Sequence, residues 1–309
     1  MPGSREDPGP LAPLLRAFDR EGVVHLKGFL EGPLLRALQA DVTGHLERLR
    51  DRLPLSGRAP GPPGVGWIRS GASTRIIRVD GLVEQNALPS VLALIGSPAL
   101  ESTARSLAED AIITQADLVV RHRHDGHVIA WHQDAVYART HRMAALGLAL
   151  EDTEAGDGDL LTLPGTQTSI QDLCALEDAH GFAPPGLRRI APRAGDLVIH
   201  DAMLVHGSLP LIGRPLRRTL YLYVDSATRI LGSEPGSAAW VAWREDLWTS
   251  ARAAWRAFSD GDPAWRGVRW PASLQAPKRA KPRTLAGNYC LRQDGNPLGN
   301  TSEFFARDS

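Results

Sequence analysis

The stretch AWHQDA, residues 130–135, places a histidine and an aspartate two positions apart in a segment that predicts a β-strand. Successive side chains of a strand point to opposite faces, so His132 and Asp134 share one face. A second histidine, His206, follows another strand-like run, GDLVIH at 195–200. Two histidines and one carboxylate on one face of an octahedron leave three positions open, which is the ligand set of non-haem iron(II) oxygenases. We therefore expect these three residues to bind a metal ion.

The H-x-D pattern is weak by itself, because the chain contains ten histidines. The sequence after His206 strengthens it. Ser208 follows two positions later, and Arg217 begins a strand-like run in which its guanidinium could clamp a carboxylate with two hydrogen bonds. His200 is a rival for the distal ligand, but it lies inside an apolar strand, and we expect it to be a core histidine.

The fold class predicted from periodicity is mainly β with flanking helices. Short strand-like runs separated by Gly, Pro or Asp favour a sandwich or jelly roll. Helical spacing of apolar residues predicts helices before and after it, which would cover its outside. The predicted strands are at 74–79, 111–121, 130–135, 143–150, 160–163, 197–200 and 217–224, and the predicted helices are at 11–18, 32–50, 88–107 (broken near Gly96) and 237–258.

The 309 residues are enough for a single domain with an enclosed pocket. We expect a flexible tail at 1–10, a helical part at 11–110, a jelly-roll core at about 111–225, and a C-terminal helix followed by a lid or tail at 226–309. Residues 54–66 carry several Pro and Gly residues and read as a loop.

Composition excludes several function classes. Basic and acidic residues are equal in number, at 35 each, and are interspersed, so we expect neither nucleic acid nor a membrane as a partner. The N-terminus lacks the apolar run of a signal peptide. Cys174 and Cys290 are far apart in sequence, so we expect two buried thiols, no disulfide and a cytoplasmic location. The oligomeric state is not predicted.

Five short motifs, together with Arg217, occur in the order and spacing of a known family. The chain resembles the phytanoyl-CoA dioxygenase (PhyH) family of 2-oxoglutarate oxygenases, which have a double-stranded β-helix (jelly-roll or cupin-like) core. The motifs are DGHVIAWHQD (125–134), LEDT (150–153), LPG (163–165), AGDL (194–197) and HGSLP (206–210).

The resemblance implies Fe(II) as the metal, held by His132, Asp134 and His206, and 2-oxoglutarate and O2 as cosubstrates. It implies that Arg217, assisted by Ser208, pairs with the far carboxylate of 2-oxoglutarate, and that the amide of Gln115 contacts the same molecule. Where related enzymes can carry an arginine two positions after this glutamine, the chain has Asp117, which departs from the family pattern.

The resemblance also implies the reaction class. Related halogenases replace the iron-binding carboxylate with a small residue, so Asp134 favours hydroxylation or another oxidation, with release of succinate and CO2. We expect a small organic substrate in bacterial secondary metabolism, that is, natural product biosynthesis. Two alternatives stay open at this point: a catalytically inactive jelly-roll binding protein, and a zinc-dependent cupin-like isomerase or hydrolase.

Substrate contacts are predicted near the H-x-D motif. Trp131 and Tyr137 flank it and could line the pocket, although aromatic residues beside a strand also serve as core packing. His127 lies in the run RHRHDGH at 121–127, which reads as a rim of the pocket or as a solvated charged loop.

Overall fold

The structure, a computed structural model, describes residues 12–53, 62–70, 73–86, 88–123, 128–270 and 285–290. Seven α-helices and twelve β-strands fall within these ranges. The helices are α1 (Ala12–Glu21), α2 (Gly32–Arg50), α3 (Pro89–Ile95), α4 (Pro98–Leu107), α5 (Leu173–His180), α6 (Ala227–Ser233) and α7 (Ala238–Ser259). The strands are β1 (Val23–Leu26), β2 (Val65–Ser70), β3 (Ser73–Val79), β4 (Ala111–His122), β5 (Ile129–Gln133), β6 (Ala144–Ala149), β7 (Leu160–Thr162), β8 (Arg188–Ile190), β9 (Leu197–Asp201), β10 (His206–Ser208), β11 (Leu216–Ser226) and β12 (Asn288–Tyr289).

The strands form two antiparallel sheets, as expected for a jelly roll. The seven-stranded major sheet has the order β1-β9-β6-β11-β4-β3-β2, and the five-stranded minor sheet has the order β12-β5-β10-β7-β8. This confirms the predicted fold class, a mainly β protein with flanking helices and a double-stranded β-helix core. The minor sheet carries His132 and His206 on adjacent strands, where the two residues are direct cross-strand partners.

Helices α2, α3 and α7 pack on the outer face of the major sheet, whereas α5 contacts β5 and β12 of the minor sheet. In β11 the residues Leu220, Leu222 and Val224 alternate with polar ones and join the main apolar cluster with residues of α2, α3 and α7. Three tryptophans of α7 are buried, namely Trp240, Trp243 and Trp248. Since alternate residues of a strand face opposite sides, the remaining side chains of β11 point to the space between the two sheets.

The two sheets take strands from outside the segment predicted as their core, 111–225. β1, β2 and β3 come from residues 11–110, the part expected to be mainly helical, although β3 matches the strand predicted at 74–79, and β12 comes from the C-terminal tail. The predicted loop at 54–66 ends sooner than expected, because Val65 and Gly66 already pair with β3. Residues 54–61 of that loop and the tail at 1–10 lie outside the described residues.

The turn before β9 depends on a close backbone approach at Gly195. This residue has φ +88°, and a Cβ atom there would lie 1.9 Å from the carbonyl oxygen of Leu30. The amide of Leu30 donates to the Gly195 carbonyl at 2.9 Å, and the Gly195 amide donates to the carbonyl of Ala149 at 2.8 Å. Asp196 adds a bond from the Gly28 amide at 2.8 Å. The AGDL motif thus joins the entry to α2 to the start of β9.

The prediction of two unpaired thiols is wrong. Cys174 in α5 and Cys290, directly after β12, form a disulfide that closes a sequence separation of 116 residues. The two cysteines are far apart in sequence but close in space, because the antiparallel pairing of β12 with β5 brings the C-terminal segment back beside α5.

No helix among the described residues is long and apolar enough to cross a membrane.

Candidate active site

Three ligand-type side chains converge between the two sheets. One potential ligand atom from each of His132, Asp134 and His206 lies within 4.8 Å of the others. Asp134 Oδ1 is 3.3 Å from Nε2 of His132 and 3.8 Å from Nε2 of His206. The H-x-D spacing therefore places its two side chains on one face as predicted, and β10 brings His206 beside them. Nitrogen and carboxylate donors of this kind suit Fe(II).

Hydrogen bonds fix which nitrogen of each histidine is available to a metal. His132 Nδ1 is 2.9 Å from the carbonyl of Ala130, and His206 Nδ1 is 2.9 Å from the carbonyl of Leu204. A carbonyl oxygen can only accept a hydrogen bond, so both Nδ1 atoms carry the proton. In each ring Nε2 is then the nitrogen left for a metal, and both Nε2 atoms face Asp134, the arrangement expected of metal-binding histidines.

Electrostatics favour the metal-binding protonation states of Asp134 and His206. Burial by itself raises the pKa of Asp134, but the neighbouring His206 and His132 outweigh it and lower that pKa below its ordinary value. Burial, followed by the charge of His132, lowers the pKa of His206 well below its usual range. The result is a charged carboxylate beside a neutral imidazole.

His200, the rival for the distal ligand, is buried next to the site. Its ring centroid is 4.3 Å from that of His206, and its Nδ1 lies 3.3 Å from the backbone carbonyl of Asp201. The metal-ligand cluster found among the described residues includes His206 and not His200. His200 therefore packs against a candidate ligand.

Arg217 and Ser208 meet at one backbone carbonyl. The Ser208 hydroxyl donates to the carbonyl of Gly158 at 3.1 Å, and Arg217 Nη1 donates to the same oxygen. Arg217 is 7% exposed, and its Nε has no hydrogen-bond partner among the residues that the structure describes. A buried guanidinium with an unused donor is costly unless an anion completes it. The two residues assigned to the far carboxylate of 2-oxoglutarate thus lie together and could hold it.

Gln115 lies on the face of the major sheet that also carries Arg217. In β4 it is the cross-strand partner of Tyr223, and its amide donates to Asp117 Oδ2 at 2.5 Å. Asp117, the departure from the family pattern, is fully buried and forms an ion pair with Arg78 of β3 at 2.5 Å. A guanidinium is therefore present at this end of the site, but it comes from a neighbouring strand.

The structure does not place Trp131 at the site. The residue is fully buried on the opposite face of β5 from His132, where its ring stacks on Phe182 at 5.5 Å and its indole N–H donates to the carbonyl of Gly181. The strand alternation that unites His132 and Asp134 turns Trp131 away from both, so the substrate prediction for Trp131 is wrong.

Tyr137, another predicted substrate residue, is engaged in a hydrogen-bond network of its own. The Tyr137 hydroxyl donates to Asp201 at 3.2 Å and accepts from the amide of Met143 at 3.3 Å, so it is committed to a network around Asp201. His127 lies outside the described residues.

Sequence reasoning missed three tyrosines that face the space between the sheets. Tyr221 and Tyr223 alternate with apolar residues in β11 and share the face of Arg217, a signal that was present in the sequence. The phenol of Tyr289 in β12 lies parallel to the imidazole of His132, with ring centroids 5.6 Å apart and 7° between the planes. No periodicity marked Tyr289, because its strand has only two residues.

The solved structures most similar to this chain share its fold at low sequence identity. AviO1 from Streptomyces viridochromogenes Tue57 is 22% identical, with a TM-score of 0.59 over 70% of this chain and 94% of AviO1. EctD from S. alaskensis, solved with 2-oxoglutarate and 5-hydroxyectoine, is 20% identical, with a TM-score of 0.56 over 73% of this chain and 79% of EctD. The epimerase SnoN from nogalamycin biosynthesis, solved with Fe3+, alpha ketoglutarate and nogalamycin RO, is 21% identical, with a TM-score of 0.52 over 72% and 86% of the two chains.

No curated protein matches the chain by sequence. The model of the phytanoyl-CoA dioxygenase (PhyH) family, in contrast, matches residues 18–219 and so includes the triad, Ser208 and Arg217. The chain therefore belongs to the phytanoyl-CoA dioxygenase family of oxygenases.

Proposed function

We propose that the protein is an Fe(II)- and 2-oxoglutarate-dependent dioxygenase that hydroxylates a small organic molecule and releases succinate and CO2. His132, Asp134 and His206 hold the iron. The observation that carries the proposal is the hydrogen bonding of both Nδ1 atoms to backbone carbonyls, which leaves both Nε2 atoms directed at Asp134. A structural histidine pair has no need of that arrangement, whereas a metal site does.

We further propose that 2-oxoglutarate is held at its far carboxylate by Arg217 and Ser208. A planar guanidinium binds a carboxylate through two parallel hydrogen bonds, and the unused Nε of Arg217 supplies one of them. Gln115, on the same face of the major sheet, is proposed to contact the remainder of the molecule.

Bound iron and 2-oxoglutarate supply the oxidising power, by coupling O2 reduction to oxidative decarboxylation. The chain's own residues bind and orient. The pKa of Asp134 lies below its ordinary value, so this carboxylate is charged at neutral pH and would neutralise part of the metal charge. The half-buried side chains of Tyr221 and Tyr223 share the face of Arg217 and line the space between the sheets, where a substrate can meet them.

Hydroxylation is the proposed outcome because a carboxylate occupies the third ligand position. The substrate is proposed to be a small natural product of bacterial secondary metabolism. SnoN and the carbocyclase SnoK, both from nogalamycin biosynthesis, share this fold, which supports the context while leaving the type of oxidation to experiment. A single oxygenase domain is proposed for residues 11–309.

The cytoplasm is the proposed compartment. Disulfides are rare in a reducing compartment, so the bond between Cys174 and Cys290 is the observation that weighs against it, and a count of alkylatable thiols in freshly lysed cells tests the proposal directly.

The test of function is 2-oxoglutarate consumption without added substrate. Iron-loaded protein in air is expected to form succinate slowly, because these oxygenases turn over 2-oxoglutarate in an uncoupled reaction. Arg217→Lys keeps the charge but loses the fork, so we expect the 2-oxoglutarate concentration for half-maximal rate to rise by ~10-fold or more. Arg218→Lys is the matched control, because the neighbouring arginine binds Glu151 and Thr43 on the opposite face.

Two outcomes would contradict the proposal. Binding of iron and 2-oxoglutarate with no succinate, alone or with candidate substrates, favours the inactive binding protein. Retention of zinc with a hydrolytic or isomerase activity indifferent to 2-oxoglutarate favours the zinc enzyme.

A further inference from the structure

A short C-terminal segment reaches the candidate iron site from outside the region shared with the family. We call residues 285–290 the C-terminal strap. Its strand β12 forms the edge of the minor sheet beside β5, with Asn288 opposite Gln133 and Tyr289 opposite His132. The family model matches residues 18–219, so the strap lies beyond the matched region.

Strand alternation gives the strap two different faces. Asn288 points to the outer side, where its amide donates to Gln133 Oε1 and to the carbonyl of Gln171, both at 2.8 Å. Cys290 is on the same outer side and bonds to Cys174 of α5. Tyr289 lies between them and points inward. Two outward residues therefore anchor the strap, and the single inward residue contacts the site.

The inward residue meets a candidate iron ligand. The phenol ring of Tyr289 lies 5.6 Å from the imidazole of His132 at an angle of 7°, a stacked arrangement. The His132 side chain is 12% exposed, and its Nδ1 has one orienting bond, to Ala130. A parallel ring against one face of the imidazole adds a second constraint on its orientation and keeps solvent from that face.

The outer anchors are connected to the segment that carries the metal ligands. Gln133, between His132 and Asp134 in sequence, is fully buried. Its side-chain oxygen accepts hydrogen bonds from the Gln171 amide at 3.1 Å and from Asn288. The Val136 amide donates to the carbonyl of Ala286 in the strap at 2.8 Å. Removal of the strap would take Asn288 away from Gln133 and Ala286 away from the Val136 amide, on the two sides of Asp134. The loss of hydrogen bonds to buried or partly buried polar groups is costly.

We propose that Tyr289 is a positioning residue for the iron ligand His132, and that the Cys174–Cys290 disulfide holds it in place. The proposal rests on the assignment of His132 as an iron ligand. The strap would then connect the redox state of two cysteines on the outside of the minor sheet to the order of the metal site inside.

We call the Cys174–Cys290 disulfide that holds the strap the clamp. Opening of the clamp needs a reductant, and we name a dithiol as the class of reductant. The dithiol delivers two electrons and two protons, the sulfur–sulfur bond breaks, Cys174 and Cys290 become thiols, and the dithiol becomes its own cyclic disulfide. The strap then keeps only its hydrogen bonds and ring contact, so we expect it to detach more often.

The first test compares Tyr289→Ala with Tyr289→Phe in anaerobic titrations of the full-length protein with Fe(II), and then with 2-oxoglutarate. Phe keeps the ring, so we expect wild-type iron affinity and an unchanged visible charge-transfer band. Ala removes the ring, so we expect iron affinity to fall by ~10-fold, in the range for residues that orient a metal ligand, and the band to shift. Equal affinity and an identical band in wild type and Tyr289→Ala would overturn the role of Tyr289.

The second test uses metal-free protein, so that its result does not depend on iron. Hydrogen exchange of peptides that contain β5 and Val136 is compared in wild type and Cys174→Ser, before and after treatment with a dithiol. We expect the dithiol to accelerate exchange by ~10-fold or more in wild type and to leave Cys174→Ser, already fast, unchanged. Equal protection in all four samples would overturn the clamp.

The two tests separate this inference from the proposed function. If wild type shows no iron-dependent band, the iron assignment fails, while the exchange data still decide whether the clamp orders β5. If wild type shows the band and Tyr289→Ala shows the same band at the same affinity, the iron assignment stands and the inference fails.

Discussion

The close backbone contact at Gly195, in the turn before β9, can be tested through its effect on stability, because the chain offers a matched control. Gly165 has nearly the same backbone angle, φ +89° against +88°, but a Cβ there would meet nothing within 4 Å. Both Ala substitutions therefore incur the cost of a left-handed conformation, roughly 1–2 kcal/mol. Only Gly195→Ala also drives a methyl group into the carbonyl of Leu30, which would be 1.9 Å away.

The extra cost of Gly195→Ala can be worked out from its contacts. The backbone at Leu30 or Gly195 must move by more than an ångström, and this stretches two hydrogen bonds, from Leu30 to Gly195 and from Gly195 to Ala149. At ~1 kcal/mol for each bond, Gly195→Ala should lose roughly 3–4 kcal/mol of unfolding free energy in total. Gly165→Ala should lose no more than ~2 kcal/mol.

Urea denaturation followed by tryptophan fluorescence measures both variants under one set of conditions. We expect Gly195→Ala to unfold at a clearly lower urea concentration than Gly165→Ala, with similar dependence on urea. Equal midpoints for the two variants would refute the reasoning, since only the contact with Leu30 distinguishes them.

Two further predictions concern pH. Burial raises the pKa of Asp117 to about 7 in the fold although Arg78 lies beside it, so the folded state binds more protons than the unfolded state between pH ~4 and 7, and stability should fall as pH rises through that window. Asp117→Asn should abolish the contribution of Asp117 to this pH dependence, so the unfolding free energy lost between pH 5 and 8 should be smaller by roughly 2 kcal/mol than in wild type. An unchanged pH dependence of stability in Asp117→Asn would contradict the raised pKa of Asp117. Hydrogen bonding from Arg252 lowers the pKa of Glu101 to about 2, so its contribution is present above pH ~4.5 and lost as pH falls toward 2. Glu101→Gln should therefore lose ~1 kcal/mol at pH 7 and almost nothing near pH 2, as measured by thermal unfolding, and a pH-independent difference would speak against the ion pair.

Most of the fold could be predicted from the local periodicity of apolar residues. The strands and helices around β4, β5, β11 and α7 follow from apolar spacing that survives in the structure, because each of these elements buries one face. The same alternation explains why His132 and Asp134 share a face. The same alternation places Trp131 on the opposite face of β5 from His132.

Features made by long-range pairing could not be predicted from the sequence. The ion pair of Arg78 with Asp117 depends on how β3 lies beside β4, and the disulfide depends on the return of the chain to β5. β12 has two residues and no periodic pattern, so neither Tyr289 nor its contact with His132 could be anticipated. In each case the partners are far apart in sequence, and only the register of the sheets brings them together.

The most direct test of the iron site is an anaerobic titration of metal-free protein with Fe(II) and then 2-oxoglutarate, read by the visible metal-to-ligand charge-transfer band. His206→Ala and His200→Ala form the matched pair, because their rings are 4.3 Å apart and only His206 belongs to the triad with His132 and Asp134. We predict a band in wild type and in His200→Ala, and none in His206→Ala. A band that survives in His206→Ala, or no band in well-folded wild type, would contradict the assignment of the iron ligands.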